Sequence, residues 1–273
     1  MRETITRAFS GFIFISLLIF SFFNQHSLIL IFYIFGIICI SEFKKLIALE
    51  SKIPYIAFTL IYFIFGYWNI ISDDSNIIDV ATQILQVFTI FVQLFLIRDL
   101  FSEKTIPLFT FRKYLLTIFY LSSAFVFLPL ITNYNGTFDY KILLCSFILI
   151  WVNDTFAYLV GKNFGKQKLF SRISPKKTVE GFLGGVLFAC ITSYFIFKYT
   201  QTLTFTSWLI LSIIISSIGT IGDLIESKFK RQANVKDSGS IMPGHGGLLD
   251  RLDSIIFAAP FIYLFLRITT YVS

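Results

Sequence analysis

The chain has 273 residues, of which 56% are hydrophobic and 14% charged, with 35 Phe and a formal net charge of +7. Soluble domains carry about 25% charged residues, so this apolar surplus exceeds what an interior can absorb and excludes a water-soluble globule. With a mean hydropathy of +0.77, the composition is that of an all-α, polytopic membrane protein whose surface is largely solvated by lipid.

A helix needs about 20 apolar residues to cross roughly 30 Å of hydrocarbon. Nine runs predict nine transmembrane helices, at 8–23, 27–43, 53–71, 78–97, 114–131, 139–160, 179–199, 203–222 and 252–271. The first is short enough to resemble a leader. It lacks a small-residue cleavage site before Asn24 and runs straight into the second apolar segment, so it is expected to remain as a span.

A cytoplasmic N-terminus puts Arg2, Arg7, Lys44, Lys45, Lys52, Arg98, Lys104, Arg112 and Lys113 on the inner side, together with the bases of two long loops, 161–178 and 223–251. Of the 23 Lys and Arg, only Lys141, Lys198 and Arg267 fall elsewhere. The opposite loops, "SDDSN" (72–76) and "TNYNGT" (132–137), are acidic or neutral. This is the positive-inside asymmetry, and nine spans then put the C-terminus outside. It accounts for the pI near 9.2, and no motif that reads nucleic acid is present. Cys39, Cys145 and Cys190 lie in spans without metal-like spacing and read as packing residues. No linker or repeat divides the chain, which reads as a single membrane domain, 1–273. Residues 1–150 are mainly scaffold spans, and 151–273 carry the unusual polar chemistry.

The first polar loop belongs to "NDTFAYLVGKNFGKQKLFSRISPKKTVEG" (153–181). Asp154 lies toward the inner end of the sixth span, Gly161 and Gly165 flank Lys162, and Lys176 and Lys177 precede the seventh. Pro175 and Thr178 suit a helix start, whose exposed N–H groups attract phosphate. A positive-inside loop with a helix cap explains the same residues.

The second loop lies within "GDLIESKFKRQANVKDSGSIMPGHGGLLDRLDS" (222–254). Its first part continues the eighth helix, with Asp223, Glu226, Ser227, Lys230 and Arg231 on neighbouring turns. The segment "DSGSIMPGHGG" breaks any helix. Asp250, Arg251 and Asp253 stand at the mouth of the ninth span. Carboxylates at a bilayer edge are costly unless they face a polar cavity or a ligand. Asp223 and Asp250, at adjoining helix ends and without a Cys or His cluster, favour Mg²⁺ over Zn²⁺; solvated helix-end ion pairs are the alternative. Lys228, Lys230, Arg231 and Lys236 suit phosphates or lipid headgroups. Gly246 and Gly247, beside His245, let backbone N–H groups approach an anion. Together these features outline a Mg²⁺–polyphosphate site. No G-x-x-x-x-G-K-[ST] occurs, so a nucleotide would be held without a P-loop.

Ser227–Asp253 resembles the signature of the phosphatidate cytidylyltransferases, the CDP-diacylglycerol synthases: S-x-(aliphatic or aromatic)-K-R, then K-D, then P-x-H-G-G-x-x-D-R-x-D. Met242 replaces the usual Leu, Ile or Phe. The earlier loop is similar to the family's D-T-G-A-Y…SPKKT-W-E-G, with Phe156 in place of Gly and Val179 in place of Trp. The resemblance covers roughly 153–260.

It implies the reaction CTP plus phosphatidate to CDP-diacylglycerol and pyrophosphate, a step of phospholipid biosynthesis at the cytoplasmic membrane. By resemblance, Asp223 and Asp250 hold Mg²⁺, with the need for a second cation left open. The expected catalytic residues are Asp223, Asp250, Lys236, His245, Arg251 and Asp253. Substrate binding is expected from Asp154, Ser174, Lys176, Lys177, Ser227, Lys228, Arg231, Asp237, Gly246 and Gly247. Within this set Lys228, Arg231 and Lys236 would hold phosphates, Ser174, Lys176 and Lys177 would close over substrate, and Asp154, Asp253 and His245 would orient the site. The implied partners are CTP, phosphatidate and the bilayer, with a homodimer among the assemblies open to the chain. A CTP-dependent lipid-alcohol kinase is the nearer alternative. A transporter for an anionic solute is the more distant one, since such sites favour the midplane of repeat-built bundles.

Overall fold

In hydrocarbon a backbone segment satisfies its polar groups only as a helix or a closed barrel, and the apolar runs here form helices. A computed structural model describes residues 2–71 and 76–272. Of the "SDDSN" loop, 72–75 lie outside the described residues, as do the side chains of Asn76, Arg2 and Arg7. The helices are α1 (Arg2–Ser21), α2 (Gln25–Leu46), α3 (Ile53–Ile71), α4 (Asn76–Phe101), α5 (Thr110–Ile131), α6 (Lys141–Phe164), α7 (Val179–Thr200), α8 (Phe205–Gln232) and α9 (Leu249–Val272). Helices α3 and α5 each contain a wide π turn, at Tyr62–Trp68 and Leu116–Ser122.

The chain is a multi-pass membrane protein: among the described residues eight helices, α2 to α9, are long and apolar enough to cross a bilayer. The first expected span differs from the rest. Its apolar part is only Phe9–Ser21, which at 1.5 Å per residue reaches about 20 Å. It nevertheless links two ends of the bundle. Ser10 bonds the loop before α9 through Pro243 O and His245. Phe22, just past its other end, lies 6.0 Å from Tyr140 at the start of α6.

The all-α expectation holds, and the described residues add one short hairpin to it. Between α6 and α7 the chain forms an antiparallel hairpin, β1 (Lys168–Phe170) and β2 (Ser174–Thr178), with Lys168 opposite Thr178 and Phe170 opposite Ser174. Thr178 then caps α7, its hydroxyl accepting from Gly181 N at 3.1 Å, which is the helix start expected from the sequence. Thr204 caps α8 in the same way.

Helix α5 is the centre of the bundle: 78% of its apolar window is buried, against 22% for α3. Around its Tyr120 ring pack Phe43 of α2, Phe229 of α8 and Phe257 of α9, at 5.4, 6.2 and 6.0 Å between centroids. This knot joins four helices immediately beneath the polar end of the bundle. Lower down, Gln86 and Gln93 of α4 donate to the carbonyls of Pro260 and Phe257, at 2.9 and 3.3 Å. Such interhelical bonds hold helices together where lipid supplies little hydrophobic drive.

Helices α8 and α9 meet at Gly222. A Cβ there would stand 2.5 Å from Phe257 Cβ and 2.9 Å from Asp253 O, so only glycine lets Asp223 and Asp253 come from two helices to one place. Gly222→Val is expected to lower stability by about 1–3 kcal/mol through overpacking, read as a fall in the thermal unfolding midpoint in detergent.

Candidate active site

Helices α6, α8 and α9 and the hairpin enclose a polar cavity of about 810 Å³. On α6, Asp154, Ala157, Tyr158 and Gly161 recur at helical spacing and form one wall. Thr220, Asp223 and Lys230 face it from α8, and Asp250, Asp253 and Ser254 from α9. The hairpin brings Lys168, Lys176 and Lys177.

Two lysines meet the carboxylates. Lys177 pairs with Asp223 across the cavity mouth, and Ser227 Oγ donates to the other Asp223 oxygen at 3.3 Å. Burial works to lower the Lys177 pKa, but the charge and hydrogen bond of Asp223 outweigh it and hold the ammonium above the usual lysine range, with help from Asp154 and Asp253. The stabilisation from this pair is therefore complete below lysine's ordinary pKa of about 10.4 and fades only as pH rises through the raised value. Lys177 therefore keeps its charge at neutral pH. Deeper in, Lys230 Nζ bridges Glu226 Oε2 at 2.5 Å and Asp250 Oδ1 at 2.6 Å, and Glu226 is completely buried.

The loop into α9 is organised around acids. Asp250 accepts from Ser238 N at 3.0 Å and Gly247 N at 2.7 Å. Asp253 accepts from Ser254 N at 2.7 Å. Arg251 donates to His245 O at 2.7 Å, and His245 Nδ1 lies 2.7 Å from Ser10 Oγ. Asp154, Asp223, Asp237, Asp250 and Asp253 thus line the cavity together with the bases Lys162, Lys168, Lys176, Lys177, Lys230 and Arg251.

Of the residues expected from the sequence, the cavity gathers Asp154, Lys176, Lys177, Asp223, Asp237, His245, Asp250, Arg251 and Asp253. Ser174, Ser227, Lys228, Arg231, Lys236, Gly246 and Gly247 are not on its wall. Lys228 follows Asp223 by five positions, about 140° round the helix. It reaches the opposite side of α8 and donates to Asp99 O at 2.5 Å and Ser102 O at 2.8 Å, where an ammonium suits the carbonyl end of α4. Asp99 in turn pairs with Arg112. Arg231 donates to Ile173 O at 3.5 Å and Val235 O at 3.2 Å. These two bases fasten the α4–α5 connector and the hairpin turn to α8. The N–H of Gly247, expected to face a phosphate, is taken by Asp250. Gly161, one of the two glycines that flank Lys162, lies close against Gly181 where α6 meets α7.

Sequence reasoning did not assign Glu42 or Asn153. Asn153 Nδ2 steadies Asp154 Oδ1 at 3.3 Å. Glu42 is buried in α2 and bonds the loop before α9. A lone acid inside an apolar span was the available signal, since such a residue needs a partner.

The profile of the cytidylyltransferase family matches residues 5–269 of the chain. Over 123 residues the chain is 47% identical to a phosphatidate cytidylyltransferase of Bacillus subtilis, covering 44% of this chain and 45% of the relative. It is 47% identical over 126 residues to one of Staphylococcus aureus, covering 45% and 48%. Against one of Staphylococcus epidermidis it is 44% identical over 128 residues, covering 46% and 49%. The chain spans about half the length of the curated relatives it matches.

If Lys228 is a fastener, Lys228→Met should speed amide exchange across 99–106 and cost about 1–3 kcal/mol for the two lost charge-assisted bonds. Exchange of the α9 segment behind the cavity should stay as in the wild type.

Proposed function

The chain belongs to the cytidylyltransferase family, and from that premise we propose that it transfers the cytidylyl group of CTP to phosphatidate, releasing pyrophosphate. The observation that carries the proposal is the convergence of Asp223 with the signature acids Asp250 and Asp253, from two helices, on one cavity of a membrane bundle. The setting suits both substrates. Lysines around the cavity supply donors for a soluble triphosphate. Its α6 wall carries the exposed Tyr158, beside the outward-facing Leu159, so a lipid can approach along that wall. The positive-inside asymmetry supports a cytoplasmic orientation in the cytoplasmic membrane.

In this reading an oxygen of the phosphatidate phosphate attacks the α-phosphorus of CTP, and the bond from that phosphorus to the β-phosphate oxygen breaks. The electron pair leaves on pyrophosphate. Among the described residues no three His, Cys, Asp or Glu side chains form a ready metal cluster. Mg²⁺, however, takes only one or two carboxylates and completes its shell with phosphate and water. Asp223 and Asp250 fit that pattern as oxygen donors facing one cavity, each now matched by an ammonium group. Bound there, Mg²⁺ would stabilise the negative charge gathering on the pyrophosphate. Lys177, fully charged at neutral pH, stands beside Asp223 to hold phosphate oxygens, with Lys176 next to it on the hairpin. Arg251 and His245 bound the α9 side, where His245 would donate to a phosphate oxygen, and Asp154 and Asp253 orient the lysines.

The purified protein, given CTP, phosphatidate and Mg²⁺, should yield CDP-diacylglycerol and pyrophosphate in equal amounts. With a lipid alcohol such as diacylglycerol offered in place of phosphatidate, release of CDP without pyrophosphate would instead identify a CTP-dependent lipid-alcohol kinase, and no turnover with either lipid across detergents and salts would sink both. Asp223→Asn should reduce turnover about 100-fold or more with an unchanged unfolding midpoint; near-normal turnover would overturn its assignment as a cation ligand.

A further inference from the structure

No residue of α2 lines the cavity, yet its single buried carboxylate reaches the loop that does. Glu42 is 4% exposed. Oε1 accepts from Leu248 N at 3.1 Å, and Oε2 from Leu249 N at 2.8 Å and Ser238 Oγ at 3.3 Å. The N–H groups at 248 and 249 belong to the start of α9, where unsatisfied donors and the helix dipole attract an anion. That position is filled by the protein's own side chain.

Two glycines make room for it. A Cβ on Gly239 would stand 2.3 Å from Glu42 Oε1, and one on Gly247 would stand 2.1 Å from Ser238 Oγ and 2.7 Å from Glu42 Oε2. The glycine-rich loop, which the sequence suggests as a phosphate cradle, is therefore shaped around two internal carboxylates, Glu42 and Asp250. Ser238 ties them together, its hydroxyl on Glu42 and its N–H on Asp250. Beneath, the neighbouring Phe43 packs edge-on to Phe229 of α8 at 5.2 Å, so the carboxylate is mounted on the aromatic knot.

We propose that Glu42 is a positioning residue: without touching substrate, it fixes the 237–249 loop and the first turn of α9, so that Asp250, Arg251 and Asp253 hold their places around the cavity. This rests on the cytidylyl-transfer reading of that cavity. A displacement of about 1 Å at a reacting centre can cost 100-fold in rate, so a loosened anchor acts on turnover before it acts on folding.

The test is Glu42→Gln, which keeps the shape but turns one acceptor into a donor facing a backbone N–H. The kcat should fall about tenfold or more, with KM for CTP changed less than about threefold. Amide exchange should quicken across 237–249 while the other helices keep wild-type rates. Glu42→Asp, which retains the charge, should recover part of kcat. Wild-type kcat in Glu42→Gln would overturn the proposal, and so would a loss matched by uniformly faster exchange throughout the chain. Should that variant fail to fold, Ser238→Ala takes its place. It removes one of the anchor's bonds and should lower kcat about threefold with the same local exchange signature; unchanged kcat and exchange would count against the anchor. If the wild type makes no CDP-diacylglycerol, the cytidylyl-transfer reading fails. The exchange measurement alone then decides the anchor, and unaltered exchange across 237–249 in Glu42→Gln would overturn it.

Discussion

The polar end of this bundle depends on one ammonium group. Lys230 Nζ sits between Glu226 and Asp250, at 2.5 and 2.6 Å, with its side chain only 11% exposed. Removing a carboxylate from water costs several kcal/mol unless a counter-charge and hydrogen bonds replace the lost solvation. Glu226 and Asp250 belong to different helices, so meeting that requirement draws α8 against α9. The contact at Gly222 permits the approach, and the ring cluster around Tyr120 supports it from below. Asp223 and Asp253 then share a cavity because the helices that carry them are already locked.

This arrangement separates two kinds of lysine. Lys230 is enclosed and has two carboxylate partners, so it belongs to the framework. Lys177 stands on a short hairpin, pairs with Asp223, and is exposed at 30%. An incoming polyphosphate can compete for the second ammonium far more readily than for the first. The signature stretch divides in the same way. Asp250, Arg251 and Asp253 face the cavity, the glycines bend around internal acids, and Arg231 secures the hairpin turn through Ile173. A sequence motif can record the construction of a site as well as its chemistry.

The helices were legible because each apolar run had to be near a fixed length and had to close its own hydrogen bonds. The Thr178 cap and the extension of α8 to Gln232 were legible for local reasons of the same kind. The hairpin was not: β2 reads SPKKT and lacks the apolar alternation that marks a half-buried strand. Lys228 was expected at a phosphate because of its charge, while its angular position on α8 turns it away from Asp223 and toward the carbonyls of Asp99 and Ser102. The bond from Glu42 to Leu249 spans 207 positions, and no local pattern encodes it. The glycines did announce a close approach to an anion, and only the fold could reveal that the anion was internal.

The same angular logic explains why the departures from the family pattern leave the cavity intact. Phe156 follows Asp154 by two positions, about 200° round α6, and is therefore turned from the wall that Asp154 forms. Its ring stacks on Phe188 of α7, 3.7 Å between centroids and 8° from parallel. A glycine at 156 would leave that seam without the stack, so the larger residue adds an aromatic contact between the two helices on the side away from the acids. Val179 opens α7 directly after the Thr178 cap and is absent from the cavity wall. Both changes fall on the joint between α6 and α7, whose geometry sets how the hairpin, and with it Lys177, is presented to Asp223.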